Sequence, residues 1–256
     1  MADWNATHYL KYADERTRPS IDLAARINLD GPRSIVDLGC GPGNSTQVLR
    51  SRWPQARLLG VDQSPEMIQT AKATYPDQHW LHADASLWTT AEPLDLVYSN
   101  AALQWIPDHR SLMRHLFSML ASGGALAFQI PSGTFATVRT LIHDISRGPA
   151  WSERMDGARH ALTMESPEFY YDTLCDVATS LDIWETEYQH VLTSKAAIVD
   201  WISSTGLRPF LGALDTDAER SEFLTELQHR VDAAYEARID GKVLFPFRRT
   251  FVIAYR

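Results

Sequence analysis

Short apolar runs alternate with amphipathic stretches through the first half of the chain. Ser34-Ile35-Val36-Asp37-Leu38 is a compact apolar run that breaks into glycines, the pattern of a strand covered on both faces. Asn44 to Arg52 reads as a helix, and Arg57-Leu58-Leu59-Gly60-Val61 as a second strand ending at Asp62. Ser64-Pro65-Glu66 then supplies an N-cap serine, a proline at the first helical position and an acid in the first turn. This helix is expected to reach about Thr74, with Pro76 stopping it. His79 to His82, Asp95 to Ser99 and Gly124 to Ile130 predict three further strands, with a helix from Asp108 to Leu120 before the last of them. Strands and helices alternating at this spacing predict right-handed βαβ units in a mostly parallel sheet.

Two regions leave the alternation. Residues 1–33 carry Trp4, His8, Tyr9, Tyr12, Arg16 and Arg18 ahead of a helix expected near Ser20 to Asn28. Residues 146–246 hold several helical stretches around one strand, Ile183 to Leu192, with Trp151, Trp184, Trp201, Phe210 and Phe223 scattered among them. Arg249 to Arg256 alternates enough to predict a final edge strand. The reading is a single domain over 1–256: an N-terminal flap (1–33), a core (34–135), a cap and substrate-binding region (146–246) and the final strand (249–256). Open α/β sheets place ligands beyond the carboxyl ends of their strands, so flap and cap are expected there.

Composition narrows the function. The 256 residues carry a formal net charge of −8 without a block of like charge, so no basic footprint for nucleic acid is present. No apolar run approaches the roughly 20 residues a membrane helix needs. Met1-Ala2-Asp3-Trp4 lacks the basic-then-apolar pattern of a secretory signal. Two cysteines far apart, Cys40 and Cys175, suit a reducing, cytoplasmic setting and exclude a disulfide scaffold. His109, His115, His143 and His160 show no metal-ligand spacing, and no metal is expected.

The chemistry concentrates in Val36-Asp37-Leu38-Gly39-Cys40-Gly41-Pro42-Gly43-Asn44-Ser45-Thr46. A strand that turns into a helix within a few residues needs positive φ or close backbone approach, which glycine supplies. The bare backbone lets a ligand lie against the main chain, near the positive end of the next helix. Asp62 closes the second strand about twenty residues on, where a carboxylate can accept both hydroxyls of a ribose. Asn44 stands where a pyrophosphate-binding loop prefers its third glycine, and Pro42 stiffens the turn. The spacing favours a nucleoside without a diphosphate and disfavours a nicotinamide oxidoreductase.

This run resembles the first motif of class I S-adenosylmethionine-dependent methyltransferases, and Gly60-Val61-Asp62-Gln63-Ser64-Pro65-Glu66-Met67 resembles the second. Ala83-Asp84-Ala85 resembles the third motif, and Asp95-Leu96-Val97-Tyr98-Ser99-Asn100-Ala101-Ala102-Leu103-Gln104-Trp105 the fourth. The resemblance implies a Rossmann-like fold with a seven-stranded sheet and S-adenosylmethionine as cofactor, released as S-adenosylhomocysteine. It further implies that Gly39, Cys40, Gly41 and Gly43 border the methionine part, that Asp62 with Gln63 holds the ribose, that Asp84 and Ala85 contact adenine, and that Asn100 lies near the amino-acid end. Arg16 and Tyr12 are added on the flap as cofactor contacts.

Outer segments resemble a narrower family, the trans-aconitate 2-methyltransferases. They are Trp4-Asn5, Tyr9-Leu10, Tyr12 to Pro19, Gly206-Leu207-Arg208-Pro209-Phe210-Leu211 and Phe245-Pro246-Phe247-Arg248-Arg249. That resemblance implies esterification of one carboxylate of a small tricarboxylate. A carboxylate is ionised at pH 7 and needs no general base, so no catalytic side chain is nominated; orientation and exclusion of water carry the reaction. The remaining carboxylates call for arginine, and Arg208 and Arg248, or Arg249, are the candidates. Trp4, Tyr9 and Tyr12 are candidates for a lid, and His8 for a hydrogen bond to the acceptor. The expected partner is a small anionic molecule, with no nucleic acid or membrane, in a monomer or weak homodimer. Competing readings are a methyltransferase for another small molecule or a malonyl carrier-protein thioester, and a non-catalytic module that binds the cofactor.

Overall fold

The computed structural model describes residues 12–132 and 137–256. In chain order the elements are α1 (Ala13–Arg26), β1 (Ser34–Leu38), α2 (Asn44–Arg52), β2 (Arg57–Asp62), α3 (Pro65–Thr74), β3 (His79–His82) and β4 (Leu94–Asn100). A 3₁₀ turn (Leu103–Trp105), α4 (His109–Ser118), β5 (Leu120–Pro131), α5 (Thr137–Ser146), α6 (Asp156–Arg159) and α7 (Pro167–Leu174) follow. The chain ends with β6 (Ser180–Leu192), α8 (Lys195–Ser203), α9 (Arg208–Gly212), α10 (Asp217–Ala234) and β7 (Val243–Tyr255). The chain divides into two compact units. Among described residues, one comprises 12–132, 163–186 and 249–256, the other 137–162 and 187–248.

The seven strands form one sheet in the order β3-β2-β1-β4-β5-β7-β6, an α/β architecture with helices between the strands. β1 pairs in parallel with β2 on one side and β4 on the other, β2 with β3, and β4 with β5. All five residues of β1 are buried, as a strand flanked by crossover helices requires. β7 runs antiparallel to β5. The direction of winding reverses between β1 and β4, the topological switch point at which such sheets open a crevice for ligands.

Local sequence sets the helix starts. Ser64 caps α3 by accepting the Met67 N–H, with Pro65 at the first position, as the pattern predicts. Asp108 caps α4 by accepting the Ser111 N–H and sits at φ 51°, a left-handed conformation that Asp tolerates.

Two expectations are corrected. The first helix begins at Ala13, seven residues before Ser20, and carries Pro19 inside it. The turn before the proline is closed by the Arg16 N–H on the Tyr12 carbonyl. The residue after it, Ser20, is buried and bonds the Tyr98 hydroxyl at 2.7 Å, so tertiary contacts offset the hydrogen bond that proline removes. The last strand is not an edge. It lies between β5 and β6, and Arg249 to Ala254 are buried without interruption.

In the second unit, α10 opens with a capping box in which Thr216 and Glu219 satisfy each other's backbone N–H groups. Its interior is aromatic: Trp151 and Phe210 pack against Phe223, and Trp201 and His190 against Phe245.

Candidate functional site

The carboxyl ends of β1, β2 and β4 and the loop after β3 converge on one cleft in the first unit. Gly39, Gly41, Asp62, Gln63, Met67, Asp84, Ala85, Asn100, Ala101, Ala102, Leu103, Trp105 and Ile106 supply its walls. Its open space, solvent-filled mouth included, is about 680 Å³. A second, smaller recess shares Gly39, Gly41 and Asn100 with it and adds Arg16, Thr17, Cys40, Pro42, Asn44 and Ser45.

The turn after β1 is held from below and from the side. The Gly39 and Cys40 N–H groups both donate to the Val61 carbonyl, at 2.7 and 3.0 Å. Gly39 has φ 71°, and a Cβ there would lie 2.0 Å from Ala102 Cβ, so the loops after β1 and β4 touch only because the side chain is absent. Gly41 has φ 54°, and a Cβ there would meet nothing within 4 Å: it would project into unfilled space. A bare main-chain cradle therefore lies at Gly41, with open space against it.

Asp62 ties this cradle to the next loop. One carboxylate oxygen accepts the Gly41 N–H at 2.9 Å, and the other accepts the Ser64 N–H at 2.8 Å. A carboxylate oxygen can take more than one hydrogen bond, so each can still meet a hydroxyl. Asp84 Oδ1 accepts both the N–H and the hydroxyl of Ser86, fixing the loop after β3.

Asp37, beneath the turn, is fully buried. Its Oδ2 accepts the hydroxyls of Ser45 and Thr46, each at 2.6 Å, which pins the start of α2 to the end of β1. Its Oδ1 is buried without a hydrogen-bond partner. Burial, reinforced by nearby Asp62 against the opposing hydroxyls, pushes its pKa up to about 6.

The loop after β4 is shaped by its backbone. Ala101 has φ 55°, and its N–H donates to the Gln129 carbonyl while its carbonyl accepts the Gln104 amide. Below it, His109 Nε2 faces the Leu103 carbonyl at 2.9 Å, which can only accept, so that nitrogen carries the proton. Nδ1 then accepts from the Tyr170 hydroxyl at 2.6 Å. Burial holds the His109 imidazole below its usual pKa and pushes the Tyr170 phenol up.

Of the residues nominated from sequence, Gly39, Gly41, Asp62, Gln63, Asp84, Ala85 and Asn100 line the main cleft, and Arg16 and Cys40 line the recess. Gly43 lines neither: a Cβ there would strike the Trp80 ring at 2.8 Å and Tyr75 at 2.9 Å, so its bareness serves packing behind the turn. Tyr12 is buried under the Arg16 guanidinium, 5.7 Å from its ring centre, and lines neither space. Trp4, His8 and Tyr9 lie outside the described residues. Arg208 opens α9, and Arg248 sits on β7 3.5 Å from Glu187; both belong to the second unit. Sequence reasoning passed over Met67, Leu103, Trp105 and Ile106, although three of these lie in or beside the fourth motif that supplied Asn100. Among the described residues no three His, Cys, Asp or Glu side chains gather as a metal site, and no helix is long and apolar enough to cross a membrane.

Residues 35–124 match the model of a methyltransferase domain. The fold agrees: the YcgJ protein of Bacillus subtilis superposes with a TM-score of 0.61 at 15% identity, covering 93% of this chain and 98% of that one. Sheet order, glycine turn and strand-tip acid together define a class I methyltransferase, whose cofactor is S-adenosylmethionine. At higher similarity, the chain is 45% identical to the trans-aconitate 2-methyltransferase of an Azoarcus species across 100% of both chains. It is 41% identical to that of an Escherichia coli strain across 100% of this chain and 99% of the other. The chain belongs to the trans-aconitate 2-methyltransferase family.

Proposed function

We propose that the protein esterifies one carboxylate of trans-aconitate with a methyl group from S-adenosylmethionine. The observation that carries this reading is the bare Gly39–Gly41 turn hydrogen-bonded to Asp62 at the strand tips, in a chain that aligns end to end with trans-aconitate 2-methyltransferases. When bound, the cofactor supplies an electrophilic methyl on a sulfonium.

The remaining work belongs to the chain. Asp62, with Gln63 beside it, takes the ribose hydroxyls, and Asp84 and Ala85 take the adenine. Gly39, Cys40, Gly41, Asn100 and Arg16 surround the amino-acid end, while Gly43 and Tyr12 support the backbone behind it. Arg208 and Arg248 are proposed to hold the carboxylates that do not react, because a guanidinium offers a carboxylate two parallel donors. The acceptor oxygen is ionised at neutral pH and needs no base, so binding contributes by orientation, worth up to roughly 7–11 kcal/mol, and by exclusion of water. The net charge of −8 disfavours nucleic acid as acceptor. Both cysteines are free thiols, one buried and one exposed, which supports a reducing, cytoplasmic setting.

A radiolabelled-methyl assay across di- and tricarboxylates tests the reading. It predicts a base-labile methyl ester on trans-aconitate. Cofactor binding with no transfer to any polycarboxylate would send the acceptor assignment elsewhere.

A further inference from the structure

Arg249 is 4% exposed, deep in the sheet, and its place in the first unit puts it near the cleft through two amides. Its Nη1 donates to Gln129 Oε1 at 3.2 Å, and Gln129 Nε2 donates to Asn100 Oδ1 at 2.8 Å. Register explains the chain of contacts. Gln129 on β5 stands opposite Asn100 on β4 and opposite Phe251 on β7, two residues from Arg249, so the side chains share one face.

The direction of this chain is dictated at its start. A guanidinium has only donors, so it must face the oxygen of the Gln129 amide. The Gln129 nitrogen is thereby turned toward Asn100 and must find an acceptor, which takes the Asn100 oxygen. What is left for the cleft side is the Asn100 nitrogen, with two hydrogens to give; it reaches the Arg16 carbonyl only at 3.5 Å. Asn100 lines both the cleft and the recess.

We infer that Arg249 and Gln129 are positioning residues that fix which end of the Asn100 amide faces the cleft, so that it presents a donor to a carboxylate. The inference rests on the proposed function, and two carboxylates fit: that of the cofactor's amino-acid end and one of the acceptor. Gln129→Glu reverses the arrangement while keeping Arg249 paired. One Glu oxygen still accepts from Arg249; the other must accept from Asn100, which turns its oxygen to the cleft. Arg249→Met removes the signal at its source, and Arg249→Lys restores a donor-only group.

The test is calorimetric titration of S-adenosylhomocysteine and of 5′-methylthioadenosine, which lacks the amino acid, with Michaelis constants for trans-aconitate alongside. For a cofactor carboxylate, Gln129→Glu weakens S-adenosylhomocysteine binding about tenfold and leaves 5′-methylthioadenosine within about twofold. For an acceptor carboxylate, the Michaelis constant for trans-aconitate rises about tenfold at unchanged cofactor affinity and kcat. Arg249→Met follows the same pattern, and Arg249→Lys recovers most of the loss. Equal weakening of both nucleosides, or no change in any constant, overturns the inference. A wild-type protein that binds neither nucleoside would remove the functional reading and this inference with it, whereas unchanged constants in a competent Gln129→Glu enzyme overturn the inference alone.

Discussion

Gly41 donates its amide N–H to Asp62 Oδ2 at 2.9 Å across 21 positions of sequence, and this bond joins the turn after β1 to the tip of β2. The acid therefore shapes the turn, and the task proposed for it besides is to meet the ligand.

Asp62→Ala is expected to weaken S-adenosylhomocysteine binding at least about tenfold, about 1.4 kcal/mol. It also leaves the Gly41 and Ser64 N–H groups without their acceptor, at about 1–3 kcal/mol of folding stability if they stay buried. Calorimetry and urea denaturation read the two effects separately. An unchanged dissociation constant would remove Asp62 from the ribose role.

Gly39→Ala and Gly41→Ala should separate folding from binding. The first forces a Cβ to within 2.0 Å of Ala102 Cβ, so one of two packed loops must move. It is expected to lower the melting temperature markedly, in line with about 1–3 kcal/mol for overpacking together with strain at positive φ. The second meets nothing within 4 Å and should fold with only about 1–2 kcal/mol of backbone strain. Its methyl group fills the cleft, so cofactor affinity should fall at least about tenfold. If Gly41→Ala binds like wild type, the cleft is not where the ligand lies.

Stability should carry the signature of Asp37. Its folded pKa stands at about 6 against an unfolded 3.8, so its neutral form is the one the fold prefers. The contribution is fully present below about pH 4 and is lost as pH rises through about 6, an effect of about 3 kcal/mol. Asp37→Asn cannot ionise, so its stability relative to wild type should improve between about pH 4 and 7. A constant difference across that window would contradict the assignment. His109, whose pKa is depressed, works in the opposite sense: its stabilisation is present above its usual pKa and lost as pH falls.

The strand tips were legible because their signals are local. A glycine turn, a proline-led helix start and an acid closing a strand each sit within a few residues, and β2, α3 and β3 fall where the pattern put them. Neighbour order is not local. Arg249 to Arg256 looked like an edge because of its alternation, yet Arg249 to Ala254 are buried throughout and Arg249 packs against Gln129, 120 positions away. Likewise His109 has no metal-ligand spacing and no other role in the sequence, while its partner Tyr170 lies 61 positions on and turns it into a buried strut under the cleft loop. Gly43 belonged to the right motif but faces Trp80 and Tyr75, a distinction that needs β3 in place.

Arg208→Ala should raise the Michaelis constant for trans-aconitate about tenfold or more while leaving S-adenosylhomocysteine affinity unchanged, the pattern for a residue that binds only the acceptor. Steady-state kinetics beside calorimetry decides it. If both constants stay where they are, the anion contacts come from other residues.

A crystal structure with S-adenosylhomocysteine decides whether the turn at Gly39–Gly41, braced by Asp62, cradles S-adenosylmethionine. The ribose hydroxyls are expected on the Asp62 carboxylate, the adenine beside Asp84 and Ala85, and the amino-acid tail toward Asn100 and Arg16. A nucleoside bound elsewhere, with the turn empty, would contradict this placement.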